Sequence, residues 1–383
     1  MATEYSQVVS RNQVRIDCQA LRHNFRCITE SVGSGVEVMA MVKGDAYGHG
    51  MTETAVVLAG CGCRTFGVAE LFEAVALRRA GIDGRIFVLL GFAPDEAEQF
   101  IHHDLTPVVF LDQDIRVLSR AAVDSGREIG VHLKVDCGMG RLGLLPADVP
   151  SFTQRIDALP GIHLAGILAH LPEADQRQAL STPLIFSRFQ ELVAGLDTGF
   201  RGIRHIANSG AALYFPETHC DMVRAGISLY GCYPDGGTGD DVAAGARLHP
   251  AMSFATRVAQ VRELPAGSGI SYGHTYTTTR PTRIAVLPVG YEDGYLRDLS
   301  NRGEVLIHGR RAPVRGRVCM NLCMVDITGI DGVEVGDEVV LLGRQGDEEI
   351  TADEIAGWMG TISYEVLCLF GKNNSRIYID EKR

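Results

Sequence analysis

Lys43 opens the run KGDAYGHG, directly after the apolar segment VEVMAMV (36–42). A lysine amine drawn out of water gives up its proton below the ordinary pKa of ~10.4, and the neutral amine is a nucleophile that forms Schiff bases with aldehydes. Four later apolar runs also end in polar or glycine-rich clusters. Asp136, Gly138, Gly140 and Arg141 follow IGVHLKVD (129–136), and His170 follows GIHLAGILA (161–169). Asn208, Ser209 and Gly210 follow GIRHIA (202–207), and Arg224, Gly226 and Ile227 close CDMVRA (220–225). Glycines such as Gly210 and Gly226 let backbone N–H groups approach a phosphate.

Within the run at 129–136, alternation separates Val131, Leu133 and Val135 from His132, Lys134 and Asp136. If the apolar set faces outward, the polar set points into the interior, where a lysine must be paired, neutral or modified. Two readings follow: a buried Lys134–Asp136 pair, or a lysine that positions Arg141. The hexapeptide from Gly138 to Gly143 also satisfies G-x-G-x-x-G, the dinucleotide fingerprint. Pro146 falls where the phosphate-binding helix would already be in its second turn, and the next run ends in His170 where that reading needs an acid.

These clusters need a scaffold that collects strand ends at one rim. Eight apolar runs punctuate the first two thirds of the chain, at 36–42, 65–69, 85–90, 105–110, 129–136, 161–169, 202–207 and 220–225. Helical patterns lie between them, as at 70–81, 112–126 and 178–196. Eight strand–helix units predict an α/β fold of the (β/α)₈ TIM-barrel type over residues 1–247, with chemistry after the carboxyl ends of the strands. An open, doubly wound sheet is the alternative, though it more usually holds five to seven strands. From residue 248 to 383 the pattern turns to strands, interrupted by one helix at 351–360 with Thr351 and Glu354 set as a capping box. A mostly β C-terminal domain is expected there.

Composition narrows the function classes. The 383 residues are 46% hydrophobic and 22% charged, with a net charge of −11, so nucleic acid is not an expected partner. No apolar run is long enough to span a membrane, and no secretory signal is visible, which makes the cytoplasm the expected location. The ten cysteines are then expected as reduced thiols, and none has zinc-site spacing, so no metal is expected.

Eight segments together resemble the motifs of alanine racemases: VKGDAYGHG (42–50), KVDCGMGRLG (134–143), HIANSGA (205–211), MVRAGISLYG (222–231), ISYGHTY (270–276), LPVGYEDGY (287–295), GRVCMN (316–321) and TISYEVL (361–367). They run in register over nearly the whole chain. The resemblance implies a barrel that binds pyridoxal 5'-phosphate (PLP), a C-terminal β domain, and a head-to-tail homodimer with shared active sites. It implies interconversion of L- and D-alanine, supplying D-alanine for peptidoglycan. Lys43 would hold PLP and act as base on one face of the substrate α-carbon, with Tyr272 from the partner subunit acting on the other. A tyrosine has an ordinary pKa of ~10, so its surroundings must favour the phenolate.

The same resemblance gives Arg224 the pyridine nitrogen, which a guanidinium leaves unprotonated. It gives Arg141 the cofactor phenolate and substrate carboxylate, with Lys134, often carbamylated in this family, steering it. Tyr47, Ser209, Gly226, Ile227 and Tyr364 would hold the phosphate, with His170 and Asn208 beside the cofactor. The backbone of Met320, from the partner, would bind the substrate carboxylate. Three positions depart from the usual pattern: Asn321 replaces an aspartate, LPEAD follows His170 where phenylalanine and small residues are common, and Asp45 replaces an asparagine. Serine or broader amino-acid racemisation, and a PLP-dependent decarboxylase of the same architecture, are the rival activities. A non-catalytic PLP carrier would leave the C-terminal domain without a role.

Overall fold

A computed structural model describes residues 10–196, 200–239 and 247–380. Nine strands come first in chain order: β1 (Gln13–Asp17), β2 (Glu37–Met41), β3 (Thr65–Val68), β4 (Arg85–Val88), β5 (Thr106–Val109), β6 (Ile129–Lys134), β7 (Ile162–Leu168), β8 (Ile203–His205) and β9 (Met222–Ala225). Strands β2 to β9 form one sheet whose neighbouring strands pair in parallel, in the order β8-β7-β6-β5-β4-β3-β2-β9. All eight expected apolar runs are strands of this sheet. The N–H of Asp221 donates to the Arg204 carbonyl at 3.1 Å, and that of Arg224 to Ala207 at 2.9 Å. Those bonds bridge the end strands and bring the barrel close to closure.

The strands are buried on both faces. Phe66, Ile86, Phe87, Val88, Val131, Leu133 and Val223 are fully inaccessible to water. The alternation at β6 holds: Val131 and Leu133 sit opposite His132 and Lys134 along the strand, and all four are buried. The ladder between β6 and β7 slips one residue between Val131 and His132, so His132 faces Gly166. That glycine is required by space. A Cβ there would lie 2.2 Å from the His132 ring.

Packing divides the chain differently from a cut at 247/248. Leu21–Ala46 and Met51–His249 form the barrel unit, while described residues up to Ala20, together with Tyr47–Gly50, cluster with Pro250 onward. The reason is β1, which pairs antiparallel with Met252–Arg257 and parallel with Arg376–Ile379. It thus lies inside the larger sheet of the β unit. The helix Ala352–Met359 starts as expected, with the Thr351 hydroxyl accepting from the Glu354 N–H at 3.1 Å. The Glu354 carboxylate does not complete a capping box but binds Arg311, which also holds Glu304 and Glu348. A second helix, Ser363–Asn373, follows it.

Gly166→Ala is expected to push the His132 ring out of the barrel and cost about 1–3 kcal/mol, as overpacked cores do. Denaturant unfolding of the variant beside the parent measures the loss; unchanged stability would mean that His132 has room to move.

Candidate active site

Lys43 leaves β2 into a turn of unusual hand. Gly44, Asp45, Ala46 and Tyr47 all have positive φ, between 54° and 63°, with ψ near 45° where the turn is tightest. Left-handed helical backbone costs an L-residue roughly 1–2 kcal/mol, so three such non-glycine residues must be held by their surroundings. The restraints are visible. Val42 N–H donates to Gly67 O at 2.9 Å and Ala46 N–H to Val42 O at 2.8 Å. Tyr230 Oη donates to Met41 O at 2.8 Å, and the Asp45 carboxylate accepts from Met51 N–H at 2.8 Å. Asp45 therefore ties the turn to the start of the helix Met51–Gly60.

Lys43 is one of the cations that crowd the barrel interior around Lys134. Lys134 is buried, and its pKa falls to about 8, first through burial and then through Arg224, Arg141 and Lys43. Of the two readings of Lys134, the pair with Asp136 does not form. Both Asp136 oxygens turn instead to backbone N–H groups of Gly138, Met139, Gly140 and Arg141 at 2.7–3.0 Å. Partial burial raises the Asp136 pKa, but those four bonds outweigh it and hold the carboxylate below its ordinary range. They also consume the amides that a dinucleotide phosphate would need, so the G-x-G-x-x-G segment is a capped loop.

Arg224, at the end of β9, is fixed at both terminal nitrogens. Nη1 donates to His205 O at 2.9 Å and reaches His205 Nδ1 at 3.3 Å; Nη2 donates to Ala169 O at 2.7 Å and Ile206 O at 3.1 Å, and reaches His170 Nδ1 at 3.1 Å. A guanidinium only donates, so each Nδ1 that bonds to it accepts; with the two Nη2 hydrogens shared among three acceptors, this places the ring protons of His170 and His205 on Nε2. His205 Nε2 then donates to His132 Nδ1, 3.1 Å away. Burial, aided by Arg224, holds His170 and His205 well below the ordinary histidine range. Burial lowers His132 to about 3, with Arg85 adding to the shift. All three rings are neutral near pH 7. Burial, then Arg141, lowers Arg224 itself to about 10, where it remains charged.

The phosphate candidates divide. Ser209 Oγ accepts from Gly226 N–H at 2.8 Å and meets Ser228 Oγ at 3.0 Å, so the Gly226 amide is already spoken for. Ile227 is buried, and its N–H meets no acceptor among the described residues. Asn208 caps the turn that follows, accepting from Ala211 N–H, and donates to Leu171 O at 3.1 Å. A crowd of cations and a buried unpaired N–H suit a ligand with several anionic groups. PLP, with its phosphate and phenolate, fits that donor set.

In the β unit, Tyr47 and Tyr364 face each other with ring centroids 6.0 Å apart. Burial, then Tyr364 and Cys368, pushes the Tyr47 hydroxyl well above its ordinary pKa. Tyr272 sits at the tip of a short hairpin, between Gly269–Ile270 and Tyr276–Thr277, and is 70% exposed. Ser271 beside it has φ 61° and donates through Oγ to Arg317 O at 2.6 Å. Asn301 links Thr275 at 3.1 Å to the amide of Gly316 at 2.6 Å. The hairpin and the 316–321 segment are thus pinned together, and the segment presents Met320, 55% exposed. Asn321 hydrogen-bonds Glu292.

His205, buried between Arg224 and His132, and Glu73, buried behind the Lys43 turn, escaped sequence reasoning. His205 lay in the motif at 205–211, and Glu73 stands three residues after the start of a helix pattern. Neither position announces a partner so distant in sequence.

The chain thus combines an eight-stranded barrel with a β unit, and sets a lysine and two arginines at or beyond the barrel's strand ends. Residues 16–234 match the family described as alanine racemase, N-terminal domain, and residues 251–378 the alanine racemase C-terminal domain. An alanine racemase of Syntrophobacter fumaroxidans is 42% identical over 371 residues, 97% of this chain and 98% of the relative. One from Symbiobacterium thermophilum is 44% identical over 365 residues, covering 95% and 96%. The solved alanine racemase of Streptomyces coelicolor superposes with a TM-score of 0.89 at 35% identity, covering 97% of this chain and 98% of its own. That of Bartonella henselae, solved with covalently bound pyridoxal phosphate, gives 0.87 at 29% identity, covering 96% and 99%. The chain belongs to the alanine racemase family and is an enzyme of that family.

The charge state of Lys134 can be read from stability. Its folded pKa is about 8 against an ordinary 10.5, so above pH 8 the unfolded chain binds the proton more tightly. The resulting penalty is full below about pH 8 and is relieved as the pH rises toward 10.5. In carbon-dioxide-free buffer, urea midpoints of the parent should gain over this window relative to Lys134→Met; parallel curves would show an unshifted amine.

Proposed function

We propose that the chain is a PLP-dependent alanine racemase that interconverts L- and D-alanine with two bases. Lys43 acts on one face of the α-carbon and Tyr272 of a second subunit on the other. The observation that carries the reading is the set of cations, Lys43 among them, gathered around Lys134 in a barrel where the Asp136 carboxylate is committed to backbone amides. Such a mouth binds an anionic cofactor and an amino-acid carboxylate together. Bound there, PLP supplies an electron sink that acidifies the substrate α-proton.

The protein's own groups do the rest. Lys43 binds the cofactor and takes or returns the proton at Nζ. Arg224, locked by His205 and by carbonyl groups, presents a guanidinium to the pyridine nitrogen without giving up its proton. In the barrel, Ser209 and Ile227 hold the phosphate; the Gly226 amide joins them if Ser209 shares it. Arg141 binds the carboxylate, and Lys134 steers it. At a pKa of about 8 Lys134 has an appreciable neutral fraction, the form that adds carbon dioxide, and its carbamate would turn one of the crowded cations into an anion.

His170 carries its proton on Nε2 because Arg224 occupies Nδ1. Donated to a tyrosine oxygen, that proton favours the phenolate and makes Tyr272 a usable base near neutral pH. Tyr272 and Met320 are both exposed, on segments that Ser271 and Asn301 tie together, as suits residues serving a neighbouring subunit's site. Met320 O accepts from Glu292 N–H at 3.1 Å, and its own N–H has no acceptor among the described residues. The product serves D-alanine supply for peptidoglycan in a bacterial cytoplasm. No helix among the described residues is long and apolar enough to cross a membrane.

Incubation of L-alanine and L-serine separately in heavy water, with chiral separation and measurement of α-deuterium, tests this reading. D-alanine carrying solvent deuterium is expected, with Lys43→Ala and Tyr272→Phe each losing at least about 10²-fold, the range for a lost acid–base group. Mixing those two variants should restore part of the activity if sites are shared between subunits. Decarboxylated products would overturn the reading, and faster turnover of serine would overturn the choice of alanine.

A further inference from the structure

Glu73 is a buried carboxylate with no cation partner among the described residues, and each of its hydrogen bonds goes to backbone N–H. Oε2 accepts from Ala69 at 2.7 Å and Glu70 at 3.1 Å, capping the helix Leu71–Arg79 that follows β3. A cap needs no more than that. Oε1 reaches across to the neighbouring strand end and accepts from Gly44 N–H at 2.8 Å. Gly44 is the first left-handed residue after Lys43, with φ 63°, and nothing lies within 4 Å of where its Cβ would be. It is therefore a glycine for its backbone angle, and the turn it begins has a side-chain anchor behind it.

We propose that Glu73 is a positioning residue for Lys43: one carboxylate staples the ends of β2 and β3 and aims the lysine by holding Gly44 in its left-handed conformation. The inference rests on the racemase reading for its kinetic consequence, but not for its geometry. Glutamine is the informative replacement. It matches the shape, yet its single acceptor oxygen can serve the helix cap or Gly44, and its amide N–H₂ opposes the other donors.

The two alanine enantiomers have equal energy, so kcat/KM must fall equally in both directions and cannot reveal which base moved. The α-deuterium isotope effect can. For Glu73→Gln, kcat should fall about tenfold with KM changing less than about threefold, the signature of an interaction made mainly in the transition state. The isotope effect should rise only in the direction in which Lys43 takes the proton. Amide exchange of residues 44–47 should accelerate about tenfold or more in the unliganded and PLP-loaded protein alike, while Glu70→Gln, at an exposed carboxylate, leaves it unchanged.

Unaltered exchange at 44–47, or an isotope effect that rises equally in both directions, would overturn the proposal. If Glu73→Gln does not fold, the parent decides. Its Gly44 amide, on an exposed residue, must be protected from exchange if the staple holds, and free exchange there refutes it. A parent with no racemase activity but a Glu73-dependent turn would sink the functional reading alone.

Discussion

Like charges brought together out of water set the terms for everything else in the barrel. Lys134 feels Arg224, Arg141 and Lys43, while Asp136 exerts a weaker opposing pull with its oxygens given to backbone amides. Burial and repulsion both favour loss of a proton, and Lys134 yields first because an amine can become neutral whereas a guanidinium holds on. Arg224 stays charged by spending its donors on three carbonyl groups and two neutral imidazoles. The histidines in turn stay neutral because they are buried, with the arginine beside them adding to the shift. An anionic ligand relaxes this arrangement, so the site is built with a deficit of negative charge.

Rigidity is the second requirement, and it is met with backbone geometry. A lysine has four rotatable bonds, so its reach is useful only if its main chain is fixed. The left-handed turn from Gly44 to Tyr47 does this at a conformational cost, offset by Tyr230 and Glu73 from two distant parts of the chain and by its own Asp45. The same economy appears at Tyr272, where Ser271 has positive φ and its hydroxyl is anchored on Arg317. Each proposed base is thus preceded or followed by strained backbone held by hydrogen bonds from outside its own element. Strain kept in two unrelated loops is costly unless position matters there.

Much of this was legible before any coordinates. The eight apolar runs are the eight barrel strands, because two-sided burial in a parallel sheet leaves an unmistakable hydrophobic trace. Arg224 and His170 were singled out because barrels put chemistry after strand ends. Strand β1 was missed because its five residues alternate like any half-buried segment and their partners lie more than 200 residues away. A Lys134–Asp136 pair was one of two readings, since a buried lysine needs a partner, yet four amides out-competed one ammonium for the carboxylate. Glu73 was invisible for a related reason: its local role as a cap is sufficient to explain it, and only the fold brings Gly44 to its second oxygen.

Racemisation adds a demand that a barrel mouth meets poorly alone. Inverting a carbon requires a proton donor on the face opposite the acceptor, and both must be in place before the carbanion is formed. Side chains from strand ends converge on a bound ligand from one rim, so on the proposed reading the second base is best carried by a separate body. Tyr272 has the properties of such a group. It stands out from its own unit, 70% exposed, at a hairpin tip tied to the segment that displays Met320. An exposed tyrosine is a poor base in water, and the proton on His170 Nε2, placed there by Arg224, is the feature that would make it a good one. Activation of the second base would then await assembly, since the group that tunes it belongs to the barrel and the group being tuned to another subunit.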